Sequence, residues 1–125
     1  MDIQLSLDAP DTLVVHLREG SEQTTIAVYP ARAGVRSLLA AVDAALSTGY
    51  GECFWPGSPG GQYWWMFKRD AESLETIAMW TRGGASLWEH TFRATDEAIW
   101  LRDRLQAEVD RLQLGNWQQA PPDAS

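Results

Sequence analysis

Residue types able to carry chemistry are few in this chain and widely spaced. There is one cysteine, Cys53, and there are two histidines, His16 and His90. Their spacing matches no zinc pattern: the chain has neither a C-x-x-C pair nor an H-E-x-x-H pair, so no metal site is read from them. A single cysteine makes no disulfide within the chain. As a nucleophile Cys53 would need a base beside it, and nothing in the spacing brings either histidine there. Glu89 and His90 are neighbours in a strand pattern and therefore point to opposite faces. His90 is expected to be hydrogen-bonded in or beside the core, and His16 to lie on the polar face of a hairpin.

Other motifs fail on their own terms. Ser58, in Pro56-Gly57-Ser58-Pro59-Gly60, lacks the G-x-S-x-G elbow that exposes a serine nucleophile. The glycine-rich stretch around it lacks the closing Gly-Lys-Ser/Thr of a phosphate cradle, and it runs into a strand pattern instead of a helix. Any two of seventeen acids could converge as a hydrolytic pair, which identifies none of them. No catalytic residue and no cofactor is therefore assigned, and binding is expected over turnover.

What stands out is aromatic. The chain has seven Trp, three Tyr and three Phe, and all but Tyr29 and Trp117 fall between Tyr50 and Trp100. Their centre, Gln62 to Arg93, reads QYWWMFKRDAESLETIAMWTRGGASLWEHTFR.

The remaining composition is that of an ordinary globular domain, 45% hydrophobic and 22% charged. At 125 residues the chain fits one domain able to bury roughly two-thirds of its unfolded surface without a metal or disulfide staple. The net charge of −7 favours a basic protein partner and disfavours nucleic acid and anionic membrane. No basic n-region with an apolar run opens the chain, and no stretch reaches the roughly 18 apolar residues of a span. A cytoplasmic location is expected.

The elements that must position these residues follow from periodicity. Ile3, Leu5 and Leu7 alternate with polar residues, which suits a short strand or extended arm. Thr12–Arg18 and Gln23–Tyr29 are rich in β-branched residues, and Gly20-Ser21 between them suits a II′ turn. That turn pairs Leu13 with Val28, Val15 with Ile26 and Leu17 with Thr24 on one face, and His16 with Thr25 and Arg18 with Gln23 on the other. Val35, Leu38, Leu39, Val42 and Leu46 recur at helical spacing, and Gly49 can close that helix. Residues 49–61 read as a loop. Strands are expected at 62–69, 74–81 and 86–94. A helix capped by Thr95 or Asp96 then buries Ala98, Leu101, Leu105, Val109 and Leu112 and stops at Gly115.

The expected fold is α+β: a single domain over residues 1–115, with an antiparallel sheet carrying two helices on one face. Its order is β-β-α-β-β-β-α, with an extra N-terminal strand as an option. Residues 116–125 are expected to form a flexible Pro-containing tail.

Register divides the rings between two faces. A turn at Asp70–Ser73 sets Lys68 opposite Glu75 and Arg69 opposite Leu74. A primed turn at Gly83-Gly84 sets Met79 opposite Trp88. One face then holds Trp64, Met66, Ile77, Met79, Trp88 and Phe92 with His90, and this nearly all-apolar set is expected beneath the helices. The other holds Tyr63, Trp65, Phe67, Thr76, Ala78, Trp80, Leu87, Glu89 and Thr91. It mixes rings with small and charged residues and is the candidate recognition face. A one-residue slip in the last turn would move Trp88 across.

The plainer alternative is that these rings are simply core, covered by the loop or by a second copy in a homodimer. The candidate binding residues are Tyr63, Trp65, Trp80 and Glu89, with Glu52 and Trp55 as a rim from the 49–61 loop. The first functional reading is a non-enzymatic protein-binding module of the immunity or antitoxin kind, taking a basic partner on the aromatic face. The second is a small-molecule or carbohydrate binder, and in some versions an enzyme, with Trp55, Trp65 and Trp80 lining a pocket. A flat open face favours the first reading and a concave pocket the second.

Overall fold

A computed structural model describes residues 1–57, 60–82 and 87–112. They form seven strands and two helices: β1 (Asp2–Asp8), β2 (Thr12–Glu19), β3 (Glu22–Val28), α1 (Ala31–Thr48), β4 (Tyr50–Pro56), β5 (Gln62–Asp70), β6 (Ser73–Thr81), β7 (Glu89–Glu97) and α2 (Ala98–Arg111). The class is α+β, as expected, but the strands form two antiparallel sheets, β1-β2-β3 and β4-β5-β6-β7. The tail at 116–125 and the stop at Gly115 lie outside the described residues.

The first sheet follows the alternation of its sequence. Leu13 faces Val28, Val15 faces Ile26, and Leu17 faces Thr24, in the register that the Gly20-Ser21 turn imposes. The N-terminal segment is a full strand, with Leu5 opposite Val15. Ile3, Leu5, Leu13, Val15, Leu17, Ile26 and Val28 are buried in one core with both helices and the second sheet. β1 is an edge strand, and α2 covers that edge with side chains. Leu5 N–H donates to Glu108 Oε1 at 2.9 Å, and Arg111 Nη2 donates to the Leu5 carbonyl at 2.5 Å and to Glu108 Oε1 at 3.0 Å. The two free backbone groups of Leu5 thus find partners as they would on a neighbouring strand.

Helix α1 starts at Ala31, directly after Pro30, and so takes in four residues before the first periodic one, Val35. Proline at the N-cap needs no amide donor there. Gly49 closes the helix with φ 98° and donates to the Ala45 carbonyl.

The expected loop at 49–61 is corrected over Tyr50–Pro56, which is strand β4 and pairs with β5 from Tyr50↔Lys68 to Pro56↔Gln62. Its inward residues are Gly51, Cys53 and Trp55. A glycine at the first of these breaks the apolar alternation that marks a strand. It is there for close packing: a Cβ on Gly51 would overlap the Ala41 carbonyl oxygen of α1. Pro56 is tolerated because β4 is an edge strand.

In the second sheet Lys68 faces Glu75 and Arg69 faces Leu74, as read from the turn. The last hairpin differs. Met79 faces His90 and not Trp88, and a register shift between Ala78 and Met79 brings Ala78 opposite Phe92. A bulge of this kind adds a residue to one strand and moves every later side chain by one position.

Helix α2 begins at Ala98 with Glu97 as its N-cap, and no side chain caps it. Thr95 and Asp96 remain in β7, and Asp96 accepts from the Met1 amino group instead, at 2.7 Å. Ala98, Leu101, Leu105 and Val109 are buried as the helical spacing predicts. Leu38 and Val42 of α1 meet Leu101 and Leu105 of α2 over Trp65, Phe67 and Thr76. Both helices therefore cover one face of the four-stranded sheet, and the other face, which no described helix covers, is its open one.

Candidate functional site

Phe92 is buried under the helices as expected, but the tryptophans are placed the other way round. Trp65 is 1% exposed, Phe67, Thr76 and Ala78 are buried, and all four belong to the helix-covered face. Trp55 is also 1% exposed. Its ring meets Trp65 edge-on at 5.1 Å, and its indole N–H donates to Ser37 Oγ of α1 at 2.8 Å. The Trp65 indole N–H has no partner among the described residues. Trp55 and Trp65 are therefore core rings. The Trp-lined pocket loses two of its three walls, because these two indoles touch each other instead of enclosing space.

Tyr63 and Trp80 do lie together, with ring centroids 4.6 Å apart, but on the same side as Trp65 and not opposite the helices. Both are half-buried, and burial raises the Tyr63 phenol above its ordinary pKa. Gly57 and Gly61 lie against Trp80. A Cβ on Gly57 or on Gly61 would overlap its indole, and the two glycines are tied by a Gly57 N–H to Gly61 carbonyl bond of 2.9 Å. Bare backbone at both positions lets these two residues approach the ring. Glu89 faces Trp80 across β6–β7 and is exposed. His90 is exposed opposite Met79, which corrects its expected place in or beside the core.

Glu52 is the one candidate that the open face retains. On β4 it alternates outward with Tyr50 and Phe54, and cross-strand pairing sets Phe54 beside Trp64 and Glu52 beside Met66. Phe54 stacks on Trp64 with centroids 5.5 Å apart and planes 17° apart. Trp88, just before β7, meets Trp64 edge-on at 5.3 Å and lies 6.2 Å from Phe54. Met66, Ile77 and Met79 follow on the same face along β5 and β6; Met66 and Ile77 are buried there and Met79 is half-buried. Phe54 is 45% exposed and Tyr50 40% exposed, while Trp64 and Trp88 are half-buried, so the cluster reaches the surface through Phe54 and Tyr50.

The carboxylate of Glu52 is held in place. Tyr50 Oη donates to its Oε1 at 2.8 Å and Trp64 Nε1 donates to the same oxygen at 3.0 Å. Burial of the Tyr50 phenol, reinforced by the Glu52 charge, pushes its pKa up to about 12. Tyr50 therefore remains a proton donor to Glu52 across the physiological range. Farther along the face Arg93 Nε donates to Glu75 Oε2 at 2.6 Å, which balances two charges locally.

Cys53 is buried on β4, where burial pushes its thiol up to about 12. It is a protonated core residue at neutral pH and not a nucleophile. His16 lies 3.1 Å from Ser6 Oγ and 3.5 Å from Thr25 Oγ1 on the outer face of the first sheet. This Ser–His contact was not read from the sequence, and only the β1–β2 pairing could have revealed it. No carboxylate orients that imidazole, as the triad chemistry requires. Among the described residues no three His, Cys, Asp or Glu side chains converge on a metal-binding position, and no helix is long and apolar enough to cross a membrane.

Comparison with family models, with curated proteins and with solved structures finds no match to this chain.

Proposed function

We propose that the protein is a non-enzymatic binding module that takes a basic protein partner on the open face of its four-stranded sheet, as an immunity protein or antitoxin takes its target. The observation that supports this most is the surface cluster of exposed Phe54 with half-buried Trp64 and Trp88 around the oriented carboxylate of Glu52. Large rings with a polar handle are the residue types that anchor interfaces, and charge of opposite sign speeds encounter. The net charge of −7 supplies that steering. The rings pack on one another at 5.3–6.2 Å and present a surface instead of a slot, which suits a macromolecule better than a sugar or a quaternary amine.

The test compares the wild-type chain with a Phe54→Ala/Trp88→Ala double variant. Each would be used to capture partners from host lysate, and the captured basic protein would then be titrated against both. Anchor residues of this kind are worth about 2 kcal/mol or more each, so the double variant should bind at least about 30-fold more weakly. Added salt should slow association of the wild type. Identical captured sets and equal affinities for the two forms would sink the proposal.

A further inference from the structure

On the open face Glu52 holds an acceptor that no described residue uses. Oε1 of Glu52 receives two hydrogen bonds, from Tyr50 and from Trp64. A carboxylate oxygen has two lone-pair positions, so Oε1 is filled and the acceptor capacity that remains is on Oε2. Among the described residues Oε2 accepts no hydrogen bond and no cationic group lies within ion-pair distance of Glu52. Arg93, on the same face, is engaged with Glu75. An unpaired carboxylate fixed by two donors and ringed by Tyr50, Phe54 and Trp64 is a complement for a single cation.

The shape of the surroundings narrows which cation. Phe54 and Trp64 lie 17° from parallel, so a flat group extends their stack. A guanidinium is planar and weakly hydrated and can stack while still donating from its edge. An ammonium is a compact, strongly hydrated point charge that could reach Oε2 but could not continue the stack. Fork-to-fork pairing needs both carboxylate oxygens free, so the contact to Glu52 is single and the ring contact supplies the selectivity.

Resting on the proposed role of this face, we infer that its partner presents an arginine, laid against the Phe54 ring and donating to Oε2 of Glu52. The experiment titrates two blocked tripeptides, acetyl-Gly-Arg-Gly-amide and its lysine counterpart, into 15N-labelled protein at low salt. It follows the indole N–H resonances of Trp64 and Trp88, assigned with Trp64→Phe and Trp88→Phe. Glu52 is exposed, so Glu52→Gln should fold normally and serves as the control. The arginine peptide should shift both resonances saturably. Loss of an exposed ion pair corresponds to roughly 2- to 5-fold, and Glu52→Gln, which leaves the ring contact in place, should weaken binding within that range. The lysine peptide should bind several-fold more weakly than the arginine one.

Absence of a saturable shift, equal binding by Glu52→Gln, or equal binding of the two peptides would each overturn the inference. If the arginine peptide fails while Phe54→Ala/Trp88→Ala still abolishes capture, the arginine contact is wrong and the binding face stands. If capture survives that double variant, the proposed face fails and this inference falls with it.

Discussion

On the inner face of the four-stranded sheet Trp55 meets Trp65 edge-on at 5.1 Å, and Trp65 stacks 6.1 Å from Phe67. On the outer face Phe54 stacks on Trp64 at 5.5 Å, and Trp88 closes the group at 5.3 Å. Ring chemistry is nearly the same on both sides, and what differs is the company the rings keep. Inside, they alternate with Gly51, Thr76, Ala78 and Ala94, small residues that leave room for the helices. Outside, they stand beside Glu52, Tyr50 and the Glu75–Arg93 pair. Aromatic density therefore does not mark an interface. The size of the neighbours shows which face a helix can occupy, because core packing depends on interlocking volumes and not on the number of apolar residues.

The comparison can be broken most forcefully from the inside. Trp65→Ala should destabilise the fold by about 3–5 kcal/mol, the usual cost of emptying a core tryptophan site, read as a lower urea midpoint. A loss below about 1 kcal/mol would show that the two faces are not distinct in kind. Gly51→Val should come next, at about 1–3 kcal/mol or more, because the added side chain meets α1 backbone that cannot rotate away. Phe54→Ala should cost less than either, below about 1.5 kcal/mol, since its main partner is another surface ring. That variant should weaken partner binding far more than it weakens the fold, and the opposite ordering would reassign the outer cluster to the core.

Two chemical probes sharpen the contrast further. Cys53 should resist a disulfide exchange reagent in the native protein and react on unfolding, because its inward thiol is both shielded and pushed up to about 12. Fast native labelling would place β4 wrongly. Tyr50 gives the smallest effect. In a Tyr29→Phe/Tyr63→Phe background its ultraviolet titration should have a midpoint near 12. Because its folded pKa is raised, its bond to Glu52 is fully present below the ordinary tyrosine pKa and is lost as pH rises through about 12. Glu52→Gln should lower that midpoint only in part, since burial is the larger cause.

Much of the fold was legible because short turns fix register. Gly20-Ser21 set the β2–β3 pairs, and the turn at 70–73 set Lys68 against Glu75. The helical stripes of α1 and α2 followed from spacing alone. β4 was not legible, because its inward positions are Gly51, Cys53 and Trp55, and a glycine in the first place hides the alternation. Nor was the bulge beside Ala78, which no residue type announces. The rings of the candidate face were all visible as rings. Assigning the more apolar set to the inside put Trp64 and Trp88 under the helices and Trp65 in solvent, the reverse of the structure. Of the expected binding residues, Glu52 alone stands beside the exposed cluster, and its neighbours Tyr50 and Trp64 became visible only once β4 was paired with β5.

The bonds from Glu108 and Arg111 to Leu5 have a consequence for behaviour in acid. The guanidinium of Arg111, together with the Leu5 amide, holds the Glu108 carboxyl below its ordinary pKa against the opposing effect of burial. Its contribution to stability is therefore complete above the ordinary carboxylate range and fades as pH falls through the lower folded value. The group that loses its charge there is also the one that shields the amide of β1. Acid strong enough to pass below the ordinary carboxylate range should thus do two things at once: loosen the fold and leave a strand bare for pairing with another chain. Fibril formation on acidification should start sooner in Glu108→Gln than in the wild type, with the first intermolecular contacts along Asp2–Asp8.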